Sequence, residues 1–294
     1  MNPAVPLILQ AVSFLLGACI GSFLNVVVWR VPRGESLVSP PSHCPKCNAP
    51  IRWWQNVPIV SWLALRGRCA RCRAPISPRY IFVEFLTGLL FLAAFWRYGS
   101  FAPLAWVWIS LMVAGSFIDF DHQLLPDFTT VGGMVYGVVC PAAFASIAWF
   151  TGADLREGTC GSEAWPVISE YPFAPSLPQS LAGLALGFGL LWLVRWLGGK
   201  AFKREAMGMG DVFLMGAVGA LFGPVCVVVT LILSSVAGSV VGLAMVLLSK
   251  ARLGGFKEIP YGPYICIGCI AWMFRGPELV AWYLRLFAPG SALA

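Results

Sequence analysis

The sequence predicts an all-α polytopic membrane protein of about eight transmembrane helices, with a zinc-stapled cytoplasmic loop. Three observations carry this prediction. Of the 294 residues, 59% are hydrophobic and only 11% charged, with a mean hydropathy of +0.78; soluble domains carry about 25% charged residues. Apolar runs recur along the whole chain, each near the ~20 residues that a helix needs to cross the hydrocarbon core. Lysine and arginine, finally, collect in alternate loops.

The apolar runs fall at 5–28, 81–97, 101–118, 128–150, 178–197, 206–222, 225–249 and 260–274. The first carries a lipoprotein-like Leu16-Gly17-Ala18-Cys19, but no basic residue precedes it and the run continues past Cys19. A span is expected there, since a cleaved signal has a basic start and a short apolar core. The sixth run is short and glycine-rich. The eighth ends at Arg275, after which 277–288 reads as an interfacial amphipathic helix with Trp282, Tyr283 and Arg285 at headgroup depth. Domains are accordingly expected at 1–30 (first span), 31–80 (cytoplasmic tetracysteine loop) and 81–294 (membrane bundle, with an external loop at 151–177). No internal repeat is expected.

Charge fixes the expected orientation. Arginines and lysines crowd 30–79, recur at Arg195, Lys200, Lys203 and Arg204, and again at Lys250, Arg252 and Lys257. The loop at 151–177 instead holds Asp154, Glu157, Glu163 and Glu170 against Arg156. By the positive-inside rule the basic loops are cytoplasmic and the N-terminus is outside. The net charge of +7 thus reports topology and not nucleic-acid binding. The lipid bilayer is the first partner.

Two motifs carry chemistry. Cys44-Pro-Lys-Cys47 and Cys69-Ala-Arg-Cys72 are paired C-x-x-C knuckles, the four thiolates that a closed structural zinc site takes. A cytoplasmic loop stays reduced, which argues against disulfides, and His43 is a bystander. The second motif is a set of aspartates at span ends: Asp119, Asp121 and Asp127 after the third run, and Gly208-Met-Gly-Asp211 at the start of the sixth. Acids at membrane depth are costly and mark function. The expected topology puts Asp119 and Asp211 on one side, where two carboxyls can share a proton and activate water against a carbonyl. Asp211 opens a helix and Asp119 closes one, which would make Asp211 the base and Asp119 the acid. Asp127, before Phe-Thr-Thr, is expected to cap a helix, and Asp121 to be solvated. Glycines such as Gly183, Gly187, Gly216 and Gly219 would let helices pack closely. From these residues alone the reaction stays open: a membrane protease, a metal-dependent transferase using Asp119 and Asp121, or a proton-coupled transporter.

Further motifs stand in order: Gly21-Ser-Phe-Leu-Asn25-Val, Arg30 and Pro32, the knuckles, Asn56-Val-Pro58-Ile with Ser61-Trp62, Leu65-Arg-Gly67-Arg68-Cys69, Pro78-Arg79-Tyr80 leading to Glu84, then Asp119 and Gly-x-Gly-Asp211. This ordered set resembles the type IV prepilin peptidase family, the leader peptidases and N-methyltransferases of bacterial pilus and type II secretion systems. The resemblance implies a bacterial inner-membrane aspartyl endopeptidase with Asp119 and Asp211 as its pair. It implies prepilin or pseudopilin substrates, cut after the Gly that ends a basic leader, and methylation of the new N-terminus with S-adenosylmethionine. It associates the amino-terminal half with methylation, with Gly67 and Arg68 as candidate cofactor contacts. One departure is Phe213, where the family often has Lys.

Overall fold

The computed structural model describes residues 7–151, 176–203, 207–249 and 260–287. The loop expected at 151–177 lies, apart from its ends, outside the described residues. All regular elements among the described residues are helical. They form two compact units, 1–118 and 119–294.

The first unit begins with α1 (Leu7–Arg30), which is apolar on every face and runs unbroken through Cys19. It lies against α3 (Arg79–Tyr98), and small residues set the approach. A Cβ at Gly21 would sit 2.8 Å from the Cα of Glu84, and one at Gly88 2.8 Å from the ring of Phe14. Lipid tails are as apolar as leucine, so helices in a bilayer associate through such close van der Waals contact. The start of α4 (Ala102–His122) joins this unit through Trp106. Its ring stacks on Phe91 at 5.3 Å, and its indole N–H donates to the Phe91 carbonyl at 2.9 Å. At the other end of α4, the Arg79 guanidinium donates to the Phe117 carbonyl at 3.2 Å and lies 5.0 Å from that ring.

Between α1 and α3 the chain leaves the apolar pattern. It makes short 3-10 turns at Val31–Arg33 and Trp53–Asn56, a brief α2 (Val60–Ala64), and the two knuckles. The knuckles are a repeat, contrary to expectation. Cys44-Pro-Lys-Cys-Asn-Ala-Pro-Ile and Cys69-Ala-Arg-Cys-Arg-Ala-Pro-Ile fold alike. In each, the first cysteine's N–H donates to the alanine carbonyl (Ala49, 2.9 Å; Ala74, 2.8 Å). In each, the residue after the second cysteine is left-handed: Asn48 at φ 52° and Arg73 at φ 61°.

The second unit surrounds α7 (Met209–Phe222). Every residue from Leu214 to Phe222 is buried, as are Asp211 and Val212. Its neighbours are α5 (Val131–Thr151), α6 (Leu177–Phe202), α8 (Pro224–Ser249) and α9 (Gly262–Phe287). Protein thus replaces lipid around α7, which explains an apolar sequence with no polar stripe. The α6–α7 seam rests on Gly183 and Gly219, each of whose missing Cβ would lie inside the other's backbone, and on Gly187 against Met215. The buried Ser180 hydroxyl bonds the carbonyls of Ala220 (2.6 Å) and Gly137 (3.2 Å), so one side chain ties α6 to α7 and α5.

Among the described residues six helices are long and apolar enough to cross a membrane, and two shorter apolar helices, Val131–Ala143 and Met209–Phe222, account for the other expected runs. The protein is a multi-pass membrane protein. One boundary needs correction. Asp127 does not cap α5: the Pro126 carbonyl collects the N–H and hydroxyl groups of Thr129 and Thr130, and this turn delays the helix to Val131. The eighth run breaks at Arg275 as expected: non-helical backbone there (φ −139°, ψ 15°), just before Pro277, kinks α9 and sets off a second helical segment that ends at Phe287.

Replacing Gly183 or Gly219 by valine is expected to destabilise the protein by ~1–3 kcal/mol or more, as overpacking does. Gly189→Ala, with nothing within 4 Å of the added methyl, is expected to be silent. Thermal melting in detergent compares the three.

Candidate active site

Three helix ends converge in the second unit. Asp119 stands in the last turn of α4, which closes as Gln123 turns left-handed (φ 53°) and donates its N–H to the Asp119 carbonyl at 2.8 Å. Asp211 stands in the first turn of α7, behind Gly208 and Gly210. Gly262 opens α9 and donates its N–H to Asp119 Oδ2 at 3.0 Å. Asp119 and Asp211 are 6% and 8% exposed. They lie close enough for the charge of one to act on the other.

Leu125 holds this convergence together. Its side chain occupies the space a Cβ would need at both Gly210 (2.9 Å) and Gly262 (3.3 Å). A Cβ at Gly262 would also sit 2.6 Å from Asp119 Oδ2. Glycine is therefore required at Gly262 by close approach. Tyr261, just before it, is held by a 2.7 Å hydroxyl bond to Ser234 of α8. Sequence reasoning missed Gly262: it bears no side chain, and its partner lies on a distant segment. The Pro260-Tyr-Gly-Pro263 turn at a helix start was the available signal.

The arrangement can place a proton between two carboxyls and leave water within reach of both. Helix polarity alone no longer separates base from acid, because the N-terminus of α9 and the Gly262 N–H now face Asp119. Asp121 is exposed, as is His122. Residues two apart on a helix do not face each other, so Asp119 and Asp121 are not arranged as a shared cation site. Phe213 packs on Phe188 of α6, ring centres 5.7 Å apart.

In the first unit the sulfurs of Cys44, Cys47, Cys69 and Cys72 all lie within 4.8 Å of one another. A tetrahedron with arms of about 2.3 Å has edges of about 3.8 Å, and the Cys44 and Cys72 sulfurs are 3.8 Å apart. Backbone N–H groups of Cys72 and Arg71 hold the Cys69 thiol down, to about 6, which favours the thiolate a metal takes. These four residues fit a zinc ion. His43 is exposed and outside the cluster. Gly67 is left-handed (φ 64°), and a Cβ there would lie 2.8 Å from the Trp62 ring. Its neighbour Arg68 enters the second knuckle, bridging Pro75.

Comparison with known proteins decides the family. The profile of the bacterial peptidase A24 N-terminal domain matches residues 15–98, and that of the type IV leader peptidase family matches residues 165–243, which include Asp211. A prepilin leader peptidase/N-methyltransferase of Myxococcus xanthus is 38% identical, over 94% of this chain and 75% of its own. The chain belongs to the type IV prepilin peptidase family. Proteins of the same name from Stutzerimonas stutzeri and Pseudomonas aeruginosa are 34% and 33% identical, over 95% of each chain. No solved structure matches. This family member is an enzyme, and its membrane spans and four-cysteine cluster fit that membership.

Gly262→Ala is expected to lower peptidase activity about a hundredfold, the scale of a ~1 Å misplacement at a reacting centre. Circular dichroism should stay unchanged; a variant with full activity would show that the Gly262–Asp119 contact is dispensable.

Proposed function

We propose that Asp119 and Asp211 form the catalytic dyad of an endopeptidase that removes the basic leader of type IV prepilins or pseudopilins after its terminal Gly. The observation that carries this reading is the meeting of two buried carboxyls at helix ends, one held by the Gly262 N–H. One carboxylate accepts a proton from water as that water attacks the scissile carbonyl. The other, protonated, donates to the carbonyl oxygen, and the leaving amine takes up a proton as the C–N bond breaks. The pair acts as one titrating unit, so the roles of base and acid belong to the dyad. Gly210 and Gly262 admit the Leu125 side chain and the Asp119 carboxyl against their backbones, which brings the three helix ends together beside it.

The depth of the site suits this substrate. A helix rises about 1.5 Å per residue, so the 14 residues of α7 cover only ~21 Å of a hydrocarbon core about 30 Å thick. α7 is thus too short to span alone, which supports a start for Asp211 inside the membrane edge. With the basic loops in the cytoplasm, that edge is the cytoplasmic one, where a basic leader meets its apolar helix.

The cysteine quartet holds a structural zinc with no open position, stapling a loop too small for its own core. The relatives' names support a second activity, methylation of the freed N-terminus. When bound, S-adenosylmethionine supplies an electrophilic methyl that the neutral amine takes, the C–S electron pair staying on sulfur and the amine proton leaving to solvent.

Purified protein in lipid is expected to cut a prepilin at a Gly–Phe junction, with products read by mass. Asp119→Asn and Asp211→Asn should each lose at least about a thousandfold, as members of one catalytic unit do. Normal cleavage by either variant would remove the dyad. Atomic emission should find one zinc per chain, lost in Cys44→Ser and Cys69→Ser, with faster proteolysis within 31–80. A metal-free quartet in fully active protein would remove the staple.

A further inference from the structure

The first unit contains a cavity of about 390 Å³, apart from both the dyad and the cysteine cluster. It lies between one face of α1 and the loop segments 37–42 and 56–58. Its size falls in the range of small-molecule sites, about 300–1,000 Å³.

The wall residue that points to a ligand is Arg30, only 7% exposed. Its two terminal nitrogens donate to the carbonyls of Ser36 and Pro40, both at 2.7 Å. Those partners are neutral, and no carboxylate among the described residues pairs with this guanidinium. The C-terminal end of α1 offsets about half a charge. A buried cation ordinarily has a full counter-charge. A guanidinium carries five N–H donors in a fork that matches a carboxylate, so donors remain for an anionic group in the cavity.

Among the described residues the lining includes no acid, and Glu84 stands behind the wall. Ser22 lines the cavity and its hydroxyl bonds the buried Glu84, which also accepts the Ile59 N–H at 2.7 Å. Glu84 and Arg30 do not pair with each other. Ile59 sits at φ 64°, ψ −54°, a conformation that β-branched residues rarely adopt. Glu84 thus pins a strained residue beside the lining residues Asn56 and Pro58. Apolar surface, Phe23 and Val26 among it, fills the rest of the wall. A ligand that satisfies these features carries a carboxylate and a body of nucleoside size.

We propose that this cavity is the binding site for the methyl donor S-adenosylmethionine, its carboxylate on the Arg30 guanidinium. The inference rests on the methyl-transfer reading above and adds a place for it. Gly67, packed on Trp62, then shapes the knuckle and does not touch the donor.

The test is calorimetric binding of S-adenosylmethionine and of its demethylated product to the full chain in phosphatidylcholine nanodiscs, with and without phosphatidylglycerol. Wild type is expected to bind one equivalent. Arg30→Met should weaken binding about ten- to a hundredfold, the scale of a lost charge-assisted pair. Val26→Trp, which fills the cavity without altering Arg30, should abolish it. Zinc content and melting temperature show whether each variant folded. Unchanged affinity in folded variants would overturn this location while leaving methylation standing. Absence of binding to wild type that still cuts prepilin would instead remove the methyl-transfer reading itself. If phosphatidylglycerol competes with the donor, and native mass spectrometry finds it retained by wild type but not Arg30→Met, the cavity is a lipid headgroup site and the proposal fails.

Discussion

The structure depends on burying two carboxyl groups, Asp119 and Asp211, among apolar helices. Water cannot stabilise them there, so the protein must supply donors and exclude lipid. It does so by surrounding one short helix. Because α7 touches protein on all sides, its first turn can begin inside the apolar layer with Asp211 facing Asp119 and not acyl chains. The Gly183–Gly219 contact and the Ser180 bonds follow from the same demand, since a sheathed helix must be approached closely.

The loop between α1 and α3 solves the opposite problem. Between Arg30 and Arg79 there is too little apolar sequence for a core, and the chain instead copies one small structure twice around four sulfurs. Both copies use a left-handed non-glycine residue, Asn48 and Arg73, after the second cysteine. Such a residue is uncommon outside glycine; here its own N–H donates back to the first cysteine's carbonyl (2.9 and 3.0 Å), and the turn brings the next alanine's carbonyl to that cysteine's N–H. Arg30 and Glu84, at the two ends of this excursion, anchor it to α1 and α3 through backbone groups of 36–40 and 59.

Much of this was legible in the sequence. Apolar runs located the helices to within a few residues, because length and composition decide membrane spans. The cysteines and the two aspartates announced themselves by being unaffordable or redundant anywhere else. What escaped was carried by residues with no chemical signal. Gly262 matters through an N–H that every residue has, and through a missing Cβ whose neighbour lies 143 positions away. Asp127 carried a capping residue type, yet the Pro126 carbonyl took the threonines first. The knuckle repeat was visible in the letters but too short to stand out until the hydrogen bonds aligned it.

The place of Leu125 has a pharmacological side. Its side chain plugs the space between Gly210 and Gly262, so one hydrophobic residue governs the room beside the proposed dyad. A compound built to mimic the scissile peptide must slide past that leucine or push it aside. If the proposed dyad is the target, selectivity over other aspartyl proteases turns on shape against an aliphatic plug, and resistance could arise by changing the size of that single side chain while keeping both aspartates.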